Sequence, residues 1–290
     1  MSPSGIYNSG NTCGLNSLLQ CMASAGLHRA LQPYIGNSPL VHHSFKILEA
    51  LCLLQNSTVL NIAPFIQELR NRSKGLLASG EQMDVSEIWL ILMDMLINDC
   101  REKPQDIPKS VNQWMIAFEK DRSRLFAETH GMETTVTRCN KHRSTRHEVF
   151  NCLFVPVECP TIQGCLDAHL ETDIQLTDWE CDECKRKVNA LTSVVVSRAP
   201  PVFAIALRRY NCKTPVDISR MITLNRKAYK LVGVALHYGV MFGGHYASIC
   251  MRNGEWYIFD DDHVRPIGNC IDQALQKNTN AYMLFYVLAS

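Results

Sequence analysis

No stretch of this chain is apolar over the ~20 residues that a membrane-spanning helix needs, and Met1–Ser4 has neither the charge nor the apolar core of a secretory leader. A dominant charge is lacking too. The 29 Lys and Arg stand against 28 Asp and Glu, for a formal net charge of +1. So even a balance offers no field for nucleic acid, an acidic partner or an anionic membrane. Internal repeats, low-complexity tracts and long linkers are missing as well, which excludes solenoids and tethered arrays. The expectation is a soluble monomer of the cytoplasm or nucleus, with neither nucleic acid nor membrane as partner.

Cysteine, by contrast, is abundant, at 13 in 290 residues. With no secretory leader, free thiols, metal ligands or a nucleophile are expected rather than disulfides. Cys52, Cys100, Cys159, Cys250 and Cys270 sit in mixed or apolar surroundings and read as small buried hydrophobes. Hydrophobic residues make up 46% of the chain, enough for a sizeable core.

The texture divides in two. From Cys13 to about Lys120, apolar residues recur at helical spacing: Leu15, Leu18, Leu19 and Met22, then Phe45, Leu48 and Leu51, then Phe65, Ile66 and Leu69. Asp84–Asp99 is apolar nearly all round and predicts a central buried helix. From about Leu125 the runs become short and β-rich, as in "VFAIALRRY", "HYASICMR", "EWYIFDD" and "AYMLFYVL", separated by Gly, Pro, Asn and Asp. The fold class expected is α+β, helices first and then an antiparallel sheet.

Within "NSGNTCGLNSLLQ", Gly10 makes a tight turn and Asn11 or Thr12 can cap the helix that follows. Cys13 then stands at a helix N-terminus, where the macrodipole and unpaired N–H groups favour a thiolate. A thiol nucleophile needs a base and a group to orient it. "FGGHYASICMRNGEWYIFDDDHV" places His245 after Gly243 and Gly244, at the start of an alternating strand. A turn at Asn253-Gly254 returns Asp260 and Asp261 to its level. A carboxylate there accepts from the ring Nδ1–H and stabilises the imidazolium. A solvated acidic turn is the other reading of these aspartates. Cys139-x-x-His142 and Cys181-x-x-Cys184 form two ligand pairs suited to a closed, tetrahedral structural zinc; His147 and Cys152 are nearby substitutes.

These blocks resemble the ubiquitin-specific proteases, the papain-like deubiquitinases. "GIYNSGNTCGLNSLLQ" resembles their cysteine box, and "GVALHYGVMFGGHYAS" with "EWYIFDDDHV" their histidine box. "EQMDVSEI", the paired "TRCNKH" and "WECDECKRK", and "APPVFAIALRRY" resemble three intervening blocks in family order. The resemblance covers essentially the whole chain. It implies a single catalytic domain over 1–290, with a helical thumb (about 1–124) and a palm and fingers (about 125–290). The zinc ribbon falls within about 136–190.

Carried over by position, Cys13 matches the nucleophile, His245 the base, Asp260 the orienting acid, Asp261 the supporting acid and Asn8 the oxyanion donor. Gln82, Asp84, His237, Gly243 and Gly244 match positions that meet the substrate's tail, Asp84 being also a plausible helix cap. Cys139, His142, Cys181 and Cys184 match the ribbon's ligands, and no catalytic cofactor is implied. The activity implied is hydrolysis of the isopeptide or peptide bond after the C-terminal Gly-Gly of ubiquitin, with ubiquitin or ubiquitinated proteins as partners. Two alternatives stay open: deconjugation of the interferon-induced two-lobed ubiquitin-like modifier, and an inactive ubiquitin-binding scaffold. The chain departs from the family pattern at Gly14 (usually aromatic), Met83, Ile88, Tyr210 and the His142 ligand.

Overall fold

The computed structural model describes residues 2–53, 58–75, 84–106, 112–170, 173–209, 213–240 and 243–289. The first half holds α1 (Cys13–Ser24), α2 (His28–Leu31), α3 (Pro39–Leu53), α4 (Ala63–Arg72), α5 (Val85–Cys100), α6 (Gln113–Lys120) and α7 (Arg124–Thr129). Within it β1 (Gly5–Ile6) pairs in parallel with β2 (Val59–Leu60). The second half holds β3 (Gly131–Arg138), β4 (Arg143–Phe150), β5 (Leu153–Pro156), β6 (Ile174–Cys181), β7 (Arg186–Arg198) and β8 (Val202–Arg208). It continues with β9 (Met221–Leu224), β10 (Lys227–Val240), β11 (Gly243–Arg252), β12 (Glu255–Asp260), β13 (His263–Pro266) and β14 (Ala281–Leu288). Two short helices, α8 (Ile162–His169) and α9 (Ile271–Leu275), are inserted among these strands.

The strands form two main sheets. One has eight strands, in the order β13-β12-β11-β10-β14-β8-β5 with β9 on β10; the other has four, in the order β4-β3-β7-β6. The α+β expectation therefore holds, with two corrections. The helical texture runs on through α7 to Thr129, past the boundary expected near Leu125. The sheet is also not wholly antiparallel, because β5 joins β8 in parallel. A parallel neighbour requires a long crossover, and α8, β6 and β7 lie in it between β5 and β8.

The large sheet is covered on both faces, which explains why its strands read as nearly continuous apolar runs. In β8, Val202, Ala204 and Ala206 face the helical core, while Phe203, Ile205 and Leu207 face a second core that includes α8 and α9. Met283 and Phe285 of β14 alternate in the same way with Leu284 and Tyr286. This is the two-residue period of a strand buried on both sides.

Against the sheet lies α1, and every residue from Cys13 to Ala23 is buried. Leu15, Leu18, Leu19 and Met22 have no exposed surface, a burial of roughly 1.5–3 kcal/mol apiece. Close approach to β10 is possible because residue 233 is glycine: a Cβ there would lie 3.2 Å from the Cys21 Cα. The expected central helix, α5, is less enclosed than α1. Glu87, Leu90, Asp94 and Asn98 give it a solvent stripe at helical spacing.

Among the small cysteines, Cys100 and Cys250 are buried as expected, Cys52 and Cys159 are half-buried, and Cys270 is exposed. Cys270 lies at the entry to α9 on the sheet's outer side, where the short helix buries only Ile271 and Leu275.

His130 follows α7 with its ring stacked on Phe126, 4.2 Å between centroids. Burial pushes its pKa down from 6.5 to about 4. Between those values the unfolded chain takes up a proton that the folded ring refuses, so stability falls as pH drops through this window. The loss is at most about 3 kcal/mol. Urea unfolding at pH 7 and pH 4.5 is expected to show a smaller acid loss in His130→Leu than in the wild type. Equal losses would show that His130 is not the titrating group.

Candidate active site

The turn before α1 is organised by Asn8. Gly10 and Asn11 adopt left-handed backbone, with φ of 95° and 54°, which glycine and asparagine tolerate best. Asn8 Oδ1 accepts from Gly10 N at 3.0 Å, Thr12 N at 3.3 Å and Thr12 Oγ1 at 3.2 Å. Thr12 occupies the N-cap position, but its hydroxyl faces back to Asn8 and Ser9 and does not cap the helix. The expected side-chain cap is thus replaced by a turn folded on Asn8, and no acid sits in the first turn. Cys13 begins α1 at 4% exposure, at the positive end of the helix dipole.

The partner hairpin is built as its sequence requires. Arg252 pairs with Glu255 across Asn253-Gly254, and both turn residues have positive φ (51° and 87°), as a two-residue hairpin of this twist needs. At its open end Asp260 Oδ1 accepts from His245 Nε2 at 2.5 Å. The bond uses Nε2 and not the Nδ1 expected from the sequence. It fixes the neutral tautomer with the proton on Nε2 and leaves Nδ1 as the basic nitrogen.

Asp261 turns the other way. Its backbone is left-handed, with φ of 54°, and its carboxylate accepts from Asn8 Nδ2 at 2.8 Å and Asn16 Nδ2 at 2.7 Å. Its carbonyl accepts from Ile6 N at 2.9 Å. Gly5 allows β1 this close, since a Cβ there would lie 2.7 Å from the Asp262 carbonyl oxygen. Polar atoms of His245, Asp260 and Asp261 all lie within 4.8 Å of one another.

The direction of α1 brings Cys13 to this end. Cys21 Sγ lies 3.6 Å from Cys250 Sγ, and Ser24 Oγ donates to Met251 O at 3.0 Å, so helix and strand run the same way. From Cys21 back to Cys13 is ~12 Å of helix; from Cys250 back to His245 is ~17 Å of strand. Asn16, one turn after Cys13, then reaches Asp261 beside the His245–Asp260 pair. Sequence reading missed Asn16, although its three-residue spacing from Cys13 on a helix was a usable signal.

On the neighbouring side, Asp84 caps α5: Oδ1 accepts from Ser86 N at 2.8 Å and Glu87 N at 3.2 Å. Its Oδ2 accepts from Tyr282 OH at 2.5 Å and Tyr246 OH at 3.4 Å. Burial first, and then the Asp84 charge, push the Tyr246 pKa well up, which keeps the phenol a neutral donor. His237 stacks on Tyr246 with 4.6 Å between centroids and meets Tyr282 edge-on; burial lowers its pKa. Gly244 lies under His237, where a Cβ would come within 2.5 Å of Nε2, while Gly243 faces open space. Gln82 lies outside the described residues.

Far from these groups, the β3–β4 and β6–β7 turns bring Cys139, His142, Cys181 and Cys184 together, their ligand atoms within 4.8 Å of one another. His142 Nδ1 is 3.2 Å from Cys184 Sγ and 3.8 Å from Cys181 Sγ, and Cys139 Sγ is 3.9 Å from Cys184 Sγ. Edges of a tetrahedral Cys₃His zinc site are ~3.5–3.8 Å, so the four residues fit such an ion. Backbone N–H groups of His142 and Cys184 point at Cys139 Sγ and Cys181 Sγ, and backbone donors lower the Cys139 pKa to about 7. The substitutes stand elsewhere: His147 bonds Thr134 within the sheet, and Cys152 is buried with its pKa pushed up to about 12.

The family model described as ubiquitin carboxyl-terminal hydrolase matches residues 4–286. Two relatives named ubiquitin carboxyl-terminal hydrolase 2, from Rattus norvegicus and Homo sapiens, are 24% and 23% identical over 99% of this chain and 54% and 55% of their own. Ubiquitin carboxyl-terminal hydrolase 23 of Arabidopsis thaliana is 26% identical over 98% of this chain and 35% of its own. The chain thus spans about half the length, or less, of these curated relatives.

Asp84→Ala removes a helix cap and leaves two tyrosine hydroxyls without their acceptor. Urea unfolding is expected to show a loss of about 2–4 kcal/mol. Asp84→Asn retains an acceptor oxygen and is expected to lose about half as much. Equal losses in the two variants would contradict this account.

Proposed function

The chain belongs to the ubiquitin carboxyl-terminal hydrolase family, whose members are cysteine peptidases, and from that premise we propose that it is a thiol-dependent deubiquitinase. It hydrolyses the isopeptide or peptide bond after the C-terminal Gly-Gly of ubiquitin. The observation that carries this reading is the His245–Asp260 pair, held beside the N-terminus of α1 by the contacts of Asn8 and Asn16 to Asp261.

The Cys13 thiolate attacks the scissile carbonyl, and the carbonyl electrons move onto oxygen. The second Nδ2–H of Asn8 and the Cys13 N–H receive that oxyanion; a donor of this kind is worth roughly 10²–10³ in rate. His245, charged on taking the thiol proton at Nδ1, is stabilised by Asp260 at Nε2 and protonates the leaving amine. It then takes a proton from water, which releases the acyl-enzyme. Asp84, His237, Gly243 and Gly244 line the approach of the Gly-Gly tail, and the resemblance assigns Gln82 to the same role. A reducing compartment, cytoplasmic or nuclear, suits thiol chemistry.

Structural zinc on Cys139, His142, Cys181 and Cys184 is part of the proposal. With four protein ligands no position is left for substrate, so the ion ties two hairpin turns together. Metal analysis is expected to find one zinc per chain. Chelation or Cys184→Ser is expected to lower the melting temperature, and a metal-free protein with an unchanged melt would refute the assignment.

The catalytic reading is tested by offering the protein ubiquitin, and separately the two-lobed modifier, each with a C-terminal electrophile. A ubiquitin adduct that is lost in Cys13→Ala and His245→Ala is expected. An adduct with the two-lobed modifier alone would reassign the substrate. Binding without any adduct would make the chain a scaffold.

A further inference from the structure

Asn16 is 2% exposed, one helical turn beyond Cys13. Its Nδ2 donates to Asp261 Oδ1, and Asp261 Oδ2 accepts from Asn8 Nδ2. The carboxylate is thus a bridge between two carboxamides. It is itself anchored by a left-handed backbone and by the Ile6 N–H on its carbonyl. Asn8 is held at its other end by the donors that converge on Oδ1. A carboxamide is planar and its Nδ2 carries two N–H groups. With Oδ1 and one N–H fixed, the direction of the second N–H is fixed as well.

Asn16 shows a further asymmetry. Its Oδ1 is buried with no hydrogen-bond partner, an unfavourable state for a polar atom. Leucine and methionine fill several other buried positions of this helix, and an apolar residue at position 16 would avoid that penalty. What asparagine adds at this position is the single donor aimed at Asp261.

We propose that Asn16 is a positioning residue for oxyanion stabilisation: acting through Asp261, it sets the plane of the Asn8 carboxamide and hence the donor that meets the developing oxyanion. This rests on the roles given above to Cys13 and Asn8. The route passes through Asp261 and not Asp260, so it leaves the imidazole and the ionisation of the thiol alone. That separates it from a general structural role, which would disturb both.

The test compares the wild type with Asn16→Ala, the near-isosteric Asn16→Asp, and the exchange Asn16→Asp with Asp261→Asn. Three quantities are read: kcat and KM on ubiquitin bearing a C-terminal fluorescent amide, the pH profile of Cys13 alkylation by iodoacetamide, and the melting temperature. Alkylation displaces iodide at carbon and forms no oxyanion, so it reports the thiolate alone. Each single variant is expected to lower kcat about 10²-fold, and Asn16→Ala, which adds no charge beside the thiol, keeps KM and the alkylation profile close to wild type. The exchange offers the same hydrogen bond with its direction reversed, so it is expected to regain at least about tenfold over Asn16→Asp.

Alkylation of Asn16→Ala that falls in step with its kcat would overturn the proposal. So would an unchanged kcat in Asn16→Ala, or effects of Asn16→Ala and Asn8→Ala that multiply fully in the double variant. An inactive wild type would overturn the reading of the site, and this proposal with it. An active wild type with an indifferent Asn16 would overturn only this proposal.

Discussion

The site depends on one constraint: α1 is buried along its whole length, and its polar groups must find partners inside the protein. The β11–β12 hairpin and the turn after it supply them at both ends. At the N-terminal end Asp261 accepts from Asn16 and Asn8. At the C-terminal end the buried Arg252 guanidinium donates to Gln20 O at 2.9 Å, Gln20 Oε1 at 2.6 Å, Leu51 O at 3.1 Å and Met251 O at 3.0 Å, and to Ser24 Oγ. Its fork of N–H groups is thus satisfied mainly by carbonyl oxygens. A carboxylate at the positive end of the helix and a guanidinium at the negative end both complement the macrodipole. Sliding α1 along the sheet would take the partners from both charges and strand the buried Arg252 guanidinium, which is expensive. The position of Cys13 relative to His245 is therefore set by buried polar contacts more than by apolar packing, which tolerates small shifts.

The same turn separates two acids that are neighbours in sequence. Asp260 ends a strand and stays exposed, where it bonds the imidazole. Asp261 adopts the left-handed backbone that aspartate tolerates better than most residues, and this rotation sends its carboxylate inward to the amides. Identical side chains thereby meet different partners, one the His245 imidazole and one the loop that precedes Cys13.

Beside them, Asp84 serves a helix and two phenols at once. The mutually contacting rings of His237, Tyr246 and Tyr282 make that wall aromatic, and neutral phenols hold a carboxylate without bringing in a second charge. The four-residue Cys/His cluster lies at the tip of a separate sheet whose β4 strand is exposed along most of its length. That sheet has little apolar core at its end, so a metal there would replace the packing it lacks.

Much of this was legible in the sequence. The helical period around Leu15–Met22 and the two-residue period of "AYMLFYVL" follow from which faces are buried. The Asn253-Gly254 hairpin follows from turn chemistry. The convergence of His245 with Asp260 and of Cys139, His142, Cys181 and Cys184 was legible in local motifs and their spacing. Other features were not legible, because they are side-chain contacts between separate elements, most of them distant in sequence. These include the choice of Nε2 over Nδ1 on His245 and the bridge from Asn8 to Asn16 through Asp261. The recruitment of Tyr246 and Tyr282 to Asp84 and the burial of Arg252 against the end of α1 belong with them. Sequence patterns report the period and the local backbone of each element. Only the tertiary structure decides which buried donor meets which acceptor, because that choice is made where two finished elements come to rest against each other.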